Sequence, residues 1–195
     1  MLILASASPR RAEILSMLGY EFDIIPAHCD ENIDGLSAAE GVGELARRKA
    51  QAVADLYPHR AVLGSDTLVA VESKVLGKPA TEAEAAEMLR ALSGKTHSVY
   101  TGISVVKGER AVTETVEAKV TFRTLTEEEI ADYIATGEPM DKAGAYGIQG
   151  FGAVLISDLH GDYFNVMGLP VYRLAQVLSG FGIDTLALAC SSVSG

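Results

Sequence analysis

Residues 1–11 read MLILASASPRR, and this stretch decides the class of fold. Residues 1–5 form a short apolar run suited to a buried strand, Ser8 suits a helix N-cap and Pro9 the first helical position. Ile14, Leu15 and Leu18 then share one face of a helix over 9–18 that Gly19 closes. A strand that turns directly into a helix is the opening of an α/β fold. The turn also carries an anomaly. Arg10 and Arg11 lie in the first helical turn, where the helix dipole disfavours cations by about 0.3–1 kcal/mol each, and a capping box would have Glu where Arg11 stands. Free N–H groups, serine hydroxyls and two guanidiniums at a helix start make an anion site; a solvated turn whose arginines pair with surface acids accounts for them equally well.

Working outward, the pattern alternates strands and helices. Residues 21–26 read as a strand, 38–56 as a helix begun by the capping box Ser37-Ala38-Ala39-Glu40, and 61–71 as a long strand interrupted by polar residues. A turn at 72–74 makes a hairpin, and a second box from Thr81 to Glu84 starts a helix that stops at Ser93-Gly94. Strands over 97–106 and 111–123 flank Lys107-Gly108-Glu109, and Thr126 caps a further helix to about 136. The glycine-punctuated segment EPMDKAGAYGIQGFG precedes strands at 153–158 and 162–167 and a last helix over 170–180. Helices interleaved with hairpins predict an α/β fold with a mixed, twisted sheet and flanking helices. Residues 1–184 are expected to form one domain, or two intimately joined lobes, with 185–195 a poorly ordered tail.

Composition narrows the partners. The 195 residues are 48% apolar, enough for a real core without disulfides, and Cys29 and Cys190 match no zinc or redox spacing. No apolar run approaches the ~20 residues of a membrane span, so a cytoplasmic protein is expected, without a membrane partner. With 26 acidic against 16 basic residues, the overall field repels nucleic acid. Any phosphate-bearing ligand is therefore small and met by a local cluster of bases. Several motifs fail on inspection: LRALSGKT at 89–96 has leucine where a phosphate-binding loop needs its first glycine, Gly147, Gly150 and Gly152 do not make a dinucleotide fingerprint, and no nucleophile elbow or metalloprotease spacing exists.

Other residues break their local rule, which is where function surfaces. Lys49 lies on the apolar stripe Val42, Leu45, Ala52, Val53, Leu56, so it either snorkels to an edge or meets an anion. Asp66 interrupts a strand between Val62-Leu63 and Leu68-Val69, as a base, a metal ligand or a capping residue at a turn. Lys78, between Gly77 and Pro79, is a second phosphate lysine or an ordinary turn residue. Asp30 and Glu31 could hold a divalent cation or simply be solvated, and Asp141 with Lys142 reads as a mutual pair.

Taken together, LASASPRR at 4–11, LARRKA at 45–50, VLGSDT at 62–67, LGKP at 76–79, SGKTHSVYTG at 93–102, MDKAGAYGIQG at 140–150 and GLP at 168–170 resemble one family closely. These are the Maf nucleotide pyrophosphatases, also called septum-formation inhibitor proteins, and the matches run in the family's order to about residue 183. The resemblance implies an elongated fold like that of the inosine triphosphate pyrophosphatases, two lobes with a central cleft. It implies hydrolysis of nucleoside triphosphates to monophosphate and pyrophosphate with Mg2+ or Mn2+. Asp66 would be the catalytic carboxylate, Ser8, Arg11, Lys49 and Lys78 would hold the phosphates, and Glu31 with Asp66 would hold the metal. Arg10, Thr67 and Gln149 resemble the subgroup acting on dTTP and UTP, and the amide of Gln149 offers the acceptor and donor that thymine and uracil complement. The expected role is house-cleaning of the nucleotide pool, canonical or modified, with a link to division arrest; the alternative is a nucleotide-binding regulator of septum formation with little catalysis. A homodimer stays open.

Overall fold

A computed structural model describes residues 1–72, 74–187 and 190. In chain order its regular elements are β1 (Leu2–Leu4), α1 (Pro9–Met17), β2 (Phe22–Ile24), α2 (Ala38–Ala54), β3 (Val62–Val71), β4 (Lys74–Leu76) and α3 (Glu82–Leu92). There follow β5 (Thr96–Lys107), β6 (Arg110–Phe122), α4 (Glu127–Ala135), three short 3-10 turns, β7 (Ile156–His160), α5 (Tyr163–Met167) and α6 (Val171–Gly180). Seven strands make one sheet in the order β2-β1-β3-β5-β6-β7, with β4 also on β3. β1 pairs parallel to β2 and β3, whereas β3–β4 and β6–β7 are antiparallel, so the sheet is mixed as expected.

The chain divides into two compact units, residues 1–66, 101–116 and 168–195, and residues 67–100 and 117–167. In the first, Ile3 and Ala5, Val62 and Val106 pack under Ala50, Val53 and Ala54 of α2. The Ser37/Glu40 box starts α2 as the sequence predicts, the hydroxyl accepting from Glu40 N–H at 3.3 Å and the carboxylate from Ser37 N–H at 3.0 Å. Two glycines set how α2 lies on the sheet. A Cβ on Gly64 would come 2.2 Å from the carbonyl oxygen of Ala46, and one on Gly102 would come 2.1 Å from that of Val42. The helix therefore touches β3 and β5 backbone to backbone.

The second unit is built on Val69, Leu89, Val99, Val120, Phe122 and Ile130. Its α4 box, Thr126 with Glu129, is complete, but the box predicted at Thr81 forms only by half: Thr81 caps Glu84 N–H, while the Glu84 carboxylate turns to Ala80 N–H at 2.8 Å. The strand expected at 162–167 is instead α5. Asp162 accepts from Phe164 N–H at 2.8 Å and opens a helical turn, which places Asn165 inside, its amide donating to Val99 O at 2.9 Å. The strand expected at 153–158 starts later, because Gly150–Leu155 coils as a 3-10 turn. Gly94 adopts φ +67° just past α3, acting as the helix stop rather than a phosphate loop. Of the expected tail, residues 185–187 are helical with Asp184 capping Leu186 and Ala187 N–H, and Tyr20 meets Thr185 by hydroxyl; 188, 189 and 191–195 lie outside the described residues.

His97 stands in the second core, 3% exposed, edge-on to Phe122 and Tyr146, with Nε2 2.8 Å from the Tyr146 hydroxyl. Nδ1 has no partner among the described residues, and burial pushes the imidazole pKa down to about 4. The unfolded chain binds this proton below its ordinary value of about 6.5 and the folded chain only below about 4, so stability falls as pH drops through that window. By pH 5 the loss from this one group is about 2 kcal/mol. Urea unfolding at pH 7 and pH 5 checks it: His97→Gln should shrink the pH-dependent drop by that amount, and an equal drop in both proteins would refute it.

Candidate active site

The first unit gathers most of the residues singled out above. Ser8 is the N-cap of α1 with extended backbone, and Pro9 opens the helix, but the Ser8 hydroxyl makes no capping bond. Ser6 orders the turn instead: it is 7% exposed, and its hydroxyl oxygen accepts from Ser8 N–H at 3.2 Å and from an Arg11 terminal nitrogen at 3.0 Å. Arg11 Nε donates to Gly168 O at 2.8 Å, and the buried Ser65 hydroxyl donates to the same carbonyl at 3.1 Å. The guanidinium is thus pinned at its root. Burial lowers its pKa, the Asp66 charge raises it and the neighbouring Arg10 lowers it again, with a net direction downward; an arginine stays charged regardless. The first turn of α1 itself contains no acidic residue.

Close approach of α2 to β3 at Gly64 brings Lys49 to Asp66. The ammonium lies 2.5 Å from the Asp66 carboxylate and 2.8 Å from that of Glu31, with the lysine and aspartate side chains 14% and 16% exposed and the glutamate 65%. Burial alone would lower the Lys49 pKa, but Asp66 and then Glu31 outweigh it, and the net shift is upward. Lys49 does not snorkel; it meets two carboxylates. Arg48, which reads in sequence as an innocent neighbour, holds the loop bearing Glu31 by donating to Asp30 O at 3.1 Å and Asn32 O at 2.7 Å. Glu44 steadies Arg48 and Arg47, each with a 2.8 Å Nε contact, and the two guanidiniums pull the Glu44 carboxyl down to about 2.

The second unit carries Thr67, Lys78 and Gln149. Thr67 is half-buried and follows Asp66 on β3, so the two side chains point to opposite faces. Lys78 is exposed on the loop after β4, ahead of buried Pro79. Gln149 is exposed and precedes the 3-10 turn Gly150–Leu155. Asp141 and Lys142 pair at 2.7 Å, as their adjacency suggests.

A family model described as "Maf-like protein" matches residues 1–181. The chain belongs to this family. Among Maf-like relatives, a dTTP/UTP pyrophosphatase of Bacillus cereus is 50% identical over 184 residues, 94% of this chain and 96% of that one. The dTTP/UTP pyrophosphatase of Moorella thermoacetica is 53% identical over 186 residues, with the same coverage. A solved structure titled "The structure of the Staphylococcus aureus Ham1 protein" aligns with 80% of this chain and 79% of its own at 16% identity and TM-score 0.47.

Whether the Maf-like site suits a divalent cation can be judged from its donors. Among the described residues no group of three or more His, Cys, Asp or Glu could cage a metal. Two carboxylates do converge on one positive charge, the Lys49 ammonium, which stands where such a charge is stabilised. That set fits an ion of the Mg2+ type, which takes one or two carboxylates and fills the rest of its shell with phosphate oxygens and water.

Proposed function

We propose that this chain is a nucleoside triphosphate pyrophosphatase acting on dTTP and UTP. The observation that carries the reading is the Asp66–Lys49–Glu31 cluster with Arg11 charged beside it, in a chain half identical over nearly its whole length to dTTP/UTP pyrophosphatases. Asp66 accepts a proton from the water that attacks phosphorus; the new O–P bond forms as the bridging P–O bond between the α and β phosphates breaks, so water and triphosphate become monophosphate and pyrophosphate. Lys49 pairs with Asp66 and, with Arg11 and Ser8, presents positive charge and donors to phosphate oxygens. Lys78, on its rigid Gly-Lys-Pro loop, adds a phosphate lysine. Glu31 and Asp66 would hold Mg2+ or Mn2+, which when bound neutralises phosphate charge and assists the leaving pyrophosphate. Gln149 reads the pyrimidine edge, with Arg10 and Thr67 contributing to base choice.

A panel of nucleoside triphosphates with Mg2+ or Mn2+, scored for pyrophosphate, tests the reading. Release from dTTP and UTP well above purine triphosphates supports it, and no release from any of them refutes it. Gln149→Glu places a second acceptor where the base also presents one. Its kcat/KM for UTP should fall about 10–100-fold, since an unpaired buried polar contact costs about 1–3 kcal/mol; unchanged selectivity would remove Gln149 from base reading.

A further inference from the structure

Gln149 is exposed, but the segment that carries it is held at both ends by one hydrogen-bonded pair. The Tyr133 hydroxyl, buried on α4, accepts from Gly147 N–H at 3.1 Å and donates to Glu138 Oε1 at 2.9 Å. The Glu138 carboxylate then accepts from Phe151 N–H at 2.8 Å and from Gly152 N–H at 3.0 Å. Two residues before Gln149 and two or three after it are therefore tied to the same two side chains. The closure leaves no slack. A Cβ on Gly152 would lie 2.3 Å from Gly147 O and 2.6 Å from the Tyr133 hydroxyl, and a Cβ on Gly150, whose φ is +81°, would lie 2.6 Å from Glu138 Oε2. Lys142 completes the stem by donating to Glu138 O at 2.7 Å.

All of this lies within one unit of the chain. Burial alone would raise the Glu138 pKa, but the Gly152 and Phe151 N–H groups and Tyr133 outweigh it, so the acceptor is an ionised carboxylate and its bonds are the stronger kind. A loop fixed this way costs nothing to order when a ligand arrives, which is how a backbone constraint becomes affinity and selectivity.

We propose that Glu138 and Tyr133 are positioning residues for base recognition, which act by fixing the 147–152 loop so that Gln149 is presented in one orientation to the pyrimidine. The inference rests on the reading of Gln149 as the base-contacting residue. Neither side chain contacts the nucleotide. Glu138→Gln keeps the size but replaces one acceptor oxygen by a donor that faces a backbone N–H. Tyr133→Phe removes the single oxygen that joins Gly147 to Glu138.

The test is a double-mutant cycle on UTP hydrolysis, with thermal unfolding measured on each protein. Glu138→Gln should raise KM for UTP about tenfold with kcat within about threefold, and Tyr133→Phe should raise it about threefold. In a Gln149→Ala background the same substitutions should change KM by less than about twofold, because the residue they act through is gone. A merely structural role would lower the unfolding temperature and the active fraction alike in both backgrounds and leave KM alone. Equal KM effects in both backgrounds, or a KM unmoved by either substitution while Gln149→Ala raises it, would overturn the inference and leave the base-reading role standing. A KM unmoved by Gln149→Ala itself would overturn both. Should Glu138→Gln fail to fold, Tyr133→Phe, which loses one atom, carries the cycle by itself.

Discussion

Asp66→Asn is expected to lower kcat for dTTP and UTP by about 10²–10⁴ while nucleotide still binds, the range typical of losing a positioned general base. The asparagine amide has the same shape but does not accept a proton from water at neutral pH. It also leaves Lys49 with Glu31 as its acidic partner, so the ammonium stays charged and available to phosphate. Retained binding with lost turnover separates this outcome from misfolding, and equilibrium binding of a non-hydrolysable UTP analogue measures the first while pyrophosphate release measures the second. Near-normal turnover would remove Asp66 from the reaction. A companion measurement separates the two roles given to this carboxylate: as base alone, its loss leaves the Mn2+ concentration dependence of residual activity unchanged; as ligand too, that dependence shifts to higher metal.

What the sequence disclosed and what it hid follow from where the information is stored. Lys49 and Asp66 were visible because each is a charged residue in an apolar pattern, and their pairing is the physical reason the pattern tolerates them. The start of α2 was visible because its cap is encoded within four residues. Arg11 was visible as a misplaced cation, but its anchor was not: Gly168 O and Arg11 are 157 residues apart, and a carbonyl acceptor leaves no mark on residue type. Arg48's hold on the loop of Glu31 was missed for the same cause, since its two hydrogen bonds there go to carbonyls and the Asp30 carboxylate stands off at 4.0 Å. Glu138 had a signal that could have been used, an acid just ahead of a run of glycines, whose bare N–H groups ask for an acceptor. α5 was misread because a five-residue element is too short for a period of two to be told from one of 3.6.

Gly64→Ala is expected to cost about 3 kcal/mol of stability, near the top of the range for overpacking. The new Cβ would stand 2.2 Å from Ala46 O and 2.6 Å from Ala50 N, both backbone atoms of α2, so no rotamer change relieves the clash. The helix must lift, and Lys49 lies between those two contacts. Displacing the ammonium by about 1 Å from Asp66 breaks a contact that is now 2.5 Å, and misplacement of that size is enough to cost about 10² in rate. Activity should therefore fall even at temperatures where the variant remains folded. Gly77→Ala supplies the control, since nothing lies within 4 Å of its added Cβ, and its unfolding midpoint should stay within about 0.5 kcal/mol of the parent. Should Gly64→Ala match that control in urea unfolding, backbone contact between α2 and β3 would not be what seats Lys49 against Asp66.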